Sequence, residues 1–131
     1  MTTKILIIDD EIDICTSLKE ILELSGYPTT YATSASEGLK QFALNSFDIV
    51  ITDIVMAGMN GVEVIENLRR KNNKQNIIAI SGGGGTQPHS YNPNAINTSA
   101  YLQAAISAGA KISLTKPFTA AEILEAIHSF N

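Results

Sequence analysis

Cysteine is nearly absent from this chain, in which Cys15 is the single example among 131 residues. One cysteine excludes an internal disulfide and any cysteine-rich metal site. Long apolar runs are missing too: the run Ile5–Ile8 ends at the acidic segment 9–11, so it is too short for a secretory signal. The longest uncharged stretch, 75–110, is interrupted by Gly, Pro, Asn and Ser, which excludes a membrane span. We therefore expect a cytoplasmic protein without membrane contacts.

Basic side chains are also scarce, with nine Lys and Arg against thirteen Asp and Glu. The resulting net charge of −4 argues against direct nucleic-acid binding, because phosphate contacts need a basic surface. The composition, 44% hydrophobic and 17% charged, excludes a disordered chain. The length predicts one domain over 1–131.

Short apolar runs alternate with helical patterns five times along the chain. The helices are indicated by apolar residues at helical spacing, by the capping boxes at Ser34 and Thr119, and by stop signals at Gly26 and Gly109. Short links between strands and helices predict a parallel sheet covered on both faces, which is an α/β fold. The predicted strands cover 4–8, 29–32, 48–52, 77–80 and 111–114.

Polar side chains stand where four of these strands end. Asp9 and Asp10 follow the first strand, Asp53 the third, Ser81 the fourth and Lys116 the fifth. Since sites in open parallel sheets form beyond the carboxyl ends of the strands, we expect these five side chains to converge on one edge.

Three carboxylates at one edge are electrostatically unfavourable. Two unit charges about 5 Å apart repel by roughly 3 kcal/mol at an effective dielectric near 20, and Lys116 alone does not offset three acids. Oxygen ligands of high charge favour a hard divalent cation, most simply Mg²⁺. An aspartate there can act as a nucleophile toward phosphorus, with the metal and Lys116 stabilising the transferring group. Each residue alone also fits an ordinary loop, cap or surface position; the combination indicates the site.

The chain resembles the receiver domain of two-component response regulators, including the single-domain chemotaxis type. The resemblance covers essentially the whole chain and is carried by the segments 7–11, 53–56, 59–61 and 114–118 together with Ser81. It implies a flavodoxin-like, doubly wound, three-layer α/β/α fold with a five-stranded sheet in the order 2-1-3-4-5. It also implies a cis Lys116-Pro117 bond.

The same resemblance implies a role for each site residue. Asp53 would accept a phosphoryl group from a phosphohistidine of a sensor histidine kinase or histidine phosphotransfer protein. Asp10, Asp53 and the Val55 carbonyl would bind Mg²⁺ directly, and Asp9 through a water molecule. Lys116 would pair with the phosphoryl group and Ser81 would hydrogen-bond it. The protein would thus be a signalling phosphoacceptor with self-catalysed phosphotransfer and autodephosphorylation, and not an enzyme.

The sequence departs from the family pattern at three places. Ala57 stands where a proline is usual, and Ser113 where an aromatic switch residue is usual, so the transmission of activation must differ. The loop over about 82–98 is longer than the family needs. We interpret this loop and the uncharged fourth helix as a partner-docking face, with plain exposure of small polar residues or a phosphate-binding glycine turn as the alternatives.

Three other functions share part of this pattern. An aspartyl-nucleophile phosphatase of the haloacid-dehalogenase type would have a second aspartate at the position of Val55. A receiver-like interaction module would act without phosphorylation, and a flavodoxin would carry a phosphate loop after the first strand. Because the last predicted helix ends at Phe130-Asn131, we expect output through a separate protein or through onward phosphate relay.

Overall fold

Strands and helices alternate along the chain, as the sequence predicts. The computed structural model describes residues 3–56, 61–81 and 103–130. The elements in these residues, in chain order, are β1 (Ile5–Ile8), α1 (Ile12–Leu24), β2 (Thr29–Ala32), α2 (Ala35–Leu44), β3 (Ile49–Asp53), α3 (Gly61–Lys71), β4 (Asn76–Ser81), α4 (described over 103–108), β5 (Ile112–Thr115) and α5 (Ala120–His128).

The five strands form one parallel sheet in the order β2-β1-β3-β4-β5. The chain therefore crosses from β1 outward to β2, returns to β3 on the other side of β1, and continues outward to β5. This is the doubly wound order that the resemblance implied, so the predicted fold class is confirmed. The order reverses between β1 and β3, and ligands bind in such sheets at that reversal, beyond the carboxyl ends of the strands.

The sheet is apolar on both faces because each face is covered by helices. The strands β1, β3 and β4 are almost fully buried, which explains their continuous Ile, Leu and Val runs. Alternate residues face opposite layers. One layer packs the sheet against α1 and α5 through Cys15, Leu18, Leu22, Ile123 and Ile127; the other packs it against α2, α3 and α4 through Ala35, Val64, Ile65, Leu68 and Ala105.

Local signals in the sequence set several helix ends. Thr119 and Glu122 form the reciprocal capping box predicted at α5, while Ser34 accepts a hydrogen bond from the Glu37 backbone at α2. Gly26 and Gly109 follow α1 and α4 with φ of +94° and +131°, a backbone conformation that other residues rarely adopt.

Strand bounds differ from the prediction by about one residue. The strand β3 begins at Ile49 and not at Asp48, and it includes Asp53. Both the backbone N–H and the carboxylate of Asp48 are bound to the Lys4 backbone, at 2.8 and 2.7 Å, which tethers Asp48 just outside the strand. The strand β5 likewise begins at Ile112 and not at Lys111, whose N–H donates to the Ile77 carbonyl.

Two of the departures from the family pattern, Ala57 and the extended loop at about 82–98, lie outside the described residues. The third, Ser113, is half-buried in β5 opposite Ala79. The Lys116-Pro117 bond is cis, as the resemblance implied.

None of the helices in the described ranges is long and apolar enough to cross a membrane.

Candidate functional site

The ends of three strands bring acidic and basic side chains to one edge of the sheet. Asp9 directly follows β1, and Asp53 is the last residue of β3, the neighbour of β1. Lys116 directly follows β5, and its backbone N–H donates to the backbone carbonyl of Ser81, the last residue of β4. The predicted convergence therefore follows from the parallel register of the sheet.

Lys116 is the centre of this cluster. Its Nζ lies 2.7 Å from Asp9 Oδ2, 3.0 Å from Glu11 Oε1 and 3.4 Å from Asp53 Oδ2. The lysine side chain is only 4% exposed, and those of Asp9 and Asp53 are 0% and 3% exposed. A buried ammonium is thus matched by two buried carboxylates and one at the surface.

Asp10 completes the group of acids. One carboxylate oxygen from each of Asp9, Asp10 and Asp53 lies within 4.8 Å of the others. Asp10 is exposed, so the group opens to solvent on its side. All three predicted acidic residues are therefore brought together.

Backbone N–H groups orient the two buried carboxylates. Asp9 Oδ1 accepts from the Glu11 N–H at 2.9 Å, and Asp53 Oδ1 accepts from the Val55 N–H at 3.1 Å. In both residues the second oxygen, Oδ2, faces Lys116. Val55, which follows in the same segment, is an apolar residue that is 51% exposed.

Burial changes the protonation of these carboxylates. Desolvation and the charge of Asp9 raise the pKa of Asp53 to about 6, although the Lys116 charge and the Val55 N–H act in the opposite direction. Desolvation also raises the pKa of Asp9, against the lowering effect of its hydrogen bond with Lys116. Both buried carboxylates are therefore less stable as anions than free aspartates are.

The lysine stays protonated. Burial by itself lowers the pKa of Lys116, but the neighbouring carboxylates of Asp9, Asp53 and Glu11 outweigh it and raise the pKa above its ordinary value. At neutral pH the group is an ammonium and acts only as a hydrogen-bond donor and a positive charge.

Ser81 lies at the same edge but is not bonded to the cluster. Its hydroxyl is fully buried, and Oγ has no hydrogen-bond partner within the described ranges. Buried hydroxyls are normally satisfied, so an unpaired one next to a polar site is a position where a ligand oxygen would be stabilised.

Cys15 lies beneath the site and takes no part in it. Its Sγ is 3.2 Å from the Asp9 carbonyl, and desolvation together with the Asp9 charge raises the pKa of the thiol to about 11. The thiol is therefore protonated at neutral pH and packs in the hydrophobic core.

Glu11 is the site residue that the sequence did not single out. It stands just before α1, where an acidic residue is easily explained by the helix N-terminus. The one signal in the sequence was that Glu11 directly follows Asp9 and Asp10. Its contact with Lys116 could not be predicted, because the two residues are 105 positions apart along the chain.

The donor set fits a hard divalent cation. Three carboxylates within 4.8 Å of one another carry excess negative charge, and burial raises the pKa of two of them. A bound divalent cation would relieve both the repulsion and the desolvation penalty. Oxygen-only ligands are typical of Mg²⁺ sites that leave room for a phosphate oxygen.

Comparison with known proteins identifies the family. The family model for the response regulator receiver domain matches residues 5–128. The chain belongs to this family. Receiver domains are signalling modules of two-component systems and not classical enzymes.

Individual relatives agree with this assignment. The chain is 30% identical to the chemotaxis protein CheY of Thermotoga maritima over 98% of its own length and 97% of that protein. A receiver domain structure from Clostridium thermocellum aligns with a TM-score of 0.82 at 31% identity, covering 97% of this chain and 92% of that one. The transcriptional regulatory protein PrrA of Mycobacterium tuberculosis is 29% identical over 92% of this chain. The chain spans 46% of PrrA, about half of its length.

Proposed function

We propose that this receiver domain is a phosphoacceptor that takes a phosphoryl group from phosphohistidine onto Asp53. The observation that carries the proposal is the position of Asp53. Its carboxylate is buried at the end of β3, with an ammonium at 3.4 Å and two further aspartates within 4.8 Å. Such a carboxylate has both a partner for the negative charge of a phosphoryl group and a set of oxygens for a cation.

The transfer forms an acyl phosphate. An Asp53 carboxylate oxygen attacks phosphorus, forming a P–O bond, while the P–N bond to the donor imidazole breaks and its electron pair stays on the nitrogen. That nitrogen takes a proton from solvent. Although Asp53 has a raised pKa of about 6, it is mostly ionised at neutral pH and is competent as a nucleophile.

Other side chains stabilise the negative charge that develops on the transferring phosphoryl group. We propose that Lys116, whose Nζ lies 3.4 Å from Asp53 Oδ2, donates to a phosphoryl oxygen. We propose that the buried hydroxyl of Ser81, which has no partner among the described residues, donates to another. We assign Mg²⁺ to Asp10, Asp53 and the Val55 carbonyl, with Asp9 acting through a water molecule. When bound, the cation neutralises charge on the transferring group.

Membership in the family supports a proposal for the wider function. We propose a histidine kinase or histidine phosphotransfer protein as donor, a separate output protein as target, and a cytoplasmic setting, with 1–131 as a single domain. Transmission through an aromatic ring in β5 is not available, since Ser113 occupies that position. No direct role for nucleic acid or membrane is proposed.

Replacing the acceptor tests the proposal. The variant Asp53→Asn should lose covalent labelling by acetyl phosphate with Mg²⁺, because an amide is a poor nucleophile. Intact-mass spectrometry should find one added phosphoryl group on the wild type and none on the variant. Asp13→Asn, an exposed position in the first turn of α1, is the control and should label normally.

Three outcomes would overturn the proposal. Labelling retained in Asp53→Asn would move the acceptor to another residue. Absence of labelling in the wild type would favour an interaction module that works without phosphorylation, whereas multiple turnover of a phosphomonoester would favour a phosphatase.

A further inference from the structure

Three carboxylates surround the Lys116 ammonium, which donates hydrogen bonds to Glu11 and Asp53 and forms an ion pair with Asp9. An ammonium has three N–H donors, and three carboxylate oxygens lie near Nζ, from Asp9 at 2.7 Å, Glu11 at 3.0 Å and Asp53 at 3.4 Å. A phosphoryl oxygen that is to accept a hydrogen bond from Lys116 must therefore replace one of these partners.

The three partners are not equally replaceable. Asp9 and Asp53 have side chains that are 0% and 3% exposed, so separating either from the lysine leaves a buried charge without its partner. The side chain of Glu11 is 59% exposed, and water can solvate its carboxylate once it leaves. Exposed ion pairs contribute little to stability, so this contact is the one most easily broken.

The backbone position of Glu11 keeps its side chain near Lys116, and the side chain is not used to cap α1. Glu11 is the N-cap residue of α1, yet its side chain makes no capping hydrogen bond. Its N–H is fixed instead to Asp9 Oδ1 at 2.9 Å. The side chain is thus anchored at its base and directed to Lys116, a residue 105 positions away.

We propose that Glu11 is a positioning residue that holds Lys116 in the unphosphorylated protein and gives it up to the incoming phosphoryl group. The inference rests on the proposed function of Asp53 as acceptor. Glu11 then competes with phosphoryl oxygens for the same ammonium, which weakens their binding and keeps the lysine ordered before transfer.

Removing the competitor should strengthen binding of a phosphoryl mimic. Glu11→Gln should bind beryllofluoride, in the presence of Mg²⁺, about two- to fivefold more tightly than the wild type, the range that an exposed ion pair supports. Asp13→Asn removes the same charge in the first turn of α1 without touching the Lys116 contact. It should shift the affinity much less, which separates specific competition from a general change of charge.

A second measurement needs no variant. In the wild type, the ¹³C signal of the Glu11 carboxylate should move toward that of a solvated glutamate when beryllofluoride is added. A residue with a merely structural role would keep its signal. Both measurements use the intact chain, and melting temperatures of the variants show that they are folded.

The outcomes are distinguishable. If the wild type binds the mimic but Glu11→Gln has unchanged or weaker affinity and the Glu11 signal stays in place, the competition is refuted while the acceptor role stands. If the wild type binds no mimic with Mg²⁺ present, the acceptor role and the competition are both refuted.

Discussion

At the scale of single residues, burial makes the ionised form of Asp53 unfavourable when no cation is bound. Its carboxylate is almost fully buried near Asp9, and its pKa is raised from 3.8 to about 6 in spite of the adjacent Lys116. A group of this kind lowers the free energy of unfolding at neutral pH. Such a cost is typical of positions kept for chemistry rather than for stability.

The sign of this effect gives a testable pH dependence. Between about pH 4 and 6 the folded protein retains a proton on Asp53 that the unfolded chain has released, so without metal the free energy of unfolding falls as pH rises. Asp53→Asn should remove this part of the slope and be more stable than the wild type at pH 7.5, by on the order of 3 kcal/mol.

Urea unfolding in EDTA at pH 4 and pH 7.5 measures this difference. The two proteins should be closer in stability at pH 4 than at pH 7.5. Asp13→Asn, whose carboxylate is exposed, should follow the wild-type slope and serves as control. A variant that is less stable than the wild type at both pH values would show that the Lys116–Asp53 ion pair outweighs the burial of Asp53.

The sequence was sufficient to place the site residues that lie at the ends of strands. Asp9, Asp53 and Lys116 could be placed because the carboxyl ends of parallel strands meet at one edge. Glu11 could not, because its contact depends on the length and direction of its side chain. The contact of Arg69 with the Gly109 carbonyl, 40 residues away, was beyond reach for the same reason.

At the scale of elements, the close approach of α3 to the end of β3 shapes the turn after Asp53. A Cβ built on Gly61 would lie 2.1 Å from the Ile54 Cα and 2.5 Å from the Asp53 carbonyl oxygen. The Gly61 N–H donates to the Ile54 carbonyl at 3.0 Å. Only glycine allows the helix to begin this close to the strand.

Gly61→Ala should therefore be strongly destabilising, by more than about 3 kcal/mol, since backbone atoms and not a flexible side chain must move. Gly26→Ala is the comparison, because its Cβ would meet nothing within 4 Å and its φ of +94° is the only source of strain. That variant should lose about 1–2 kcal/mol. Equal losses in chemical denaturation would contradict the close-packing argument.

The sequence predicted the elements well and their bounds less well. Continuous apolar runs identified the buried strands β1, β3 and β4, and the capping residues Ser34 and Thr119 located two helices. The start of β3 was one residue off because Asp48 is tethered to Lys4, a contact across 44 residues that periodicity does not encode.

At the scale of the whole molecule, the acid group should link stability to divalent cations. Mg²⁺ at about 10 mM should raise the melting temperature by roughly 3–6 °C if it binds with millimolar affinity, because it relieves repulsion in the folded state only. Asp10→Asn should lose most of this shift. Differential scanning fluorimetry with and without EDTA measures it, and no shift in the wild type would refute the metal assignment.

The residues of the site are far apart along the chain, and this has a consequence during translation. Asp53 precedes Lys116 by 63 residues, so a ribosome working at about 5–20 residues per second completes the acceptor some 3–13 s before the lysine. During that interval a nascent chain carries its acids without their counter-charge. A donor protein that meets the chain while it is being translated would find an incomplete acceptor, so signalling competence begins only after β5 has joined the sheet.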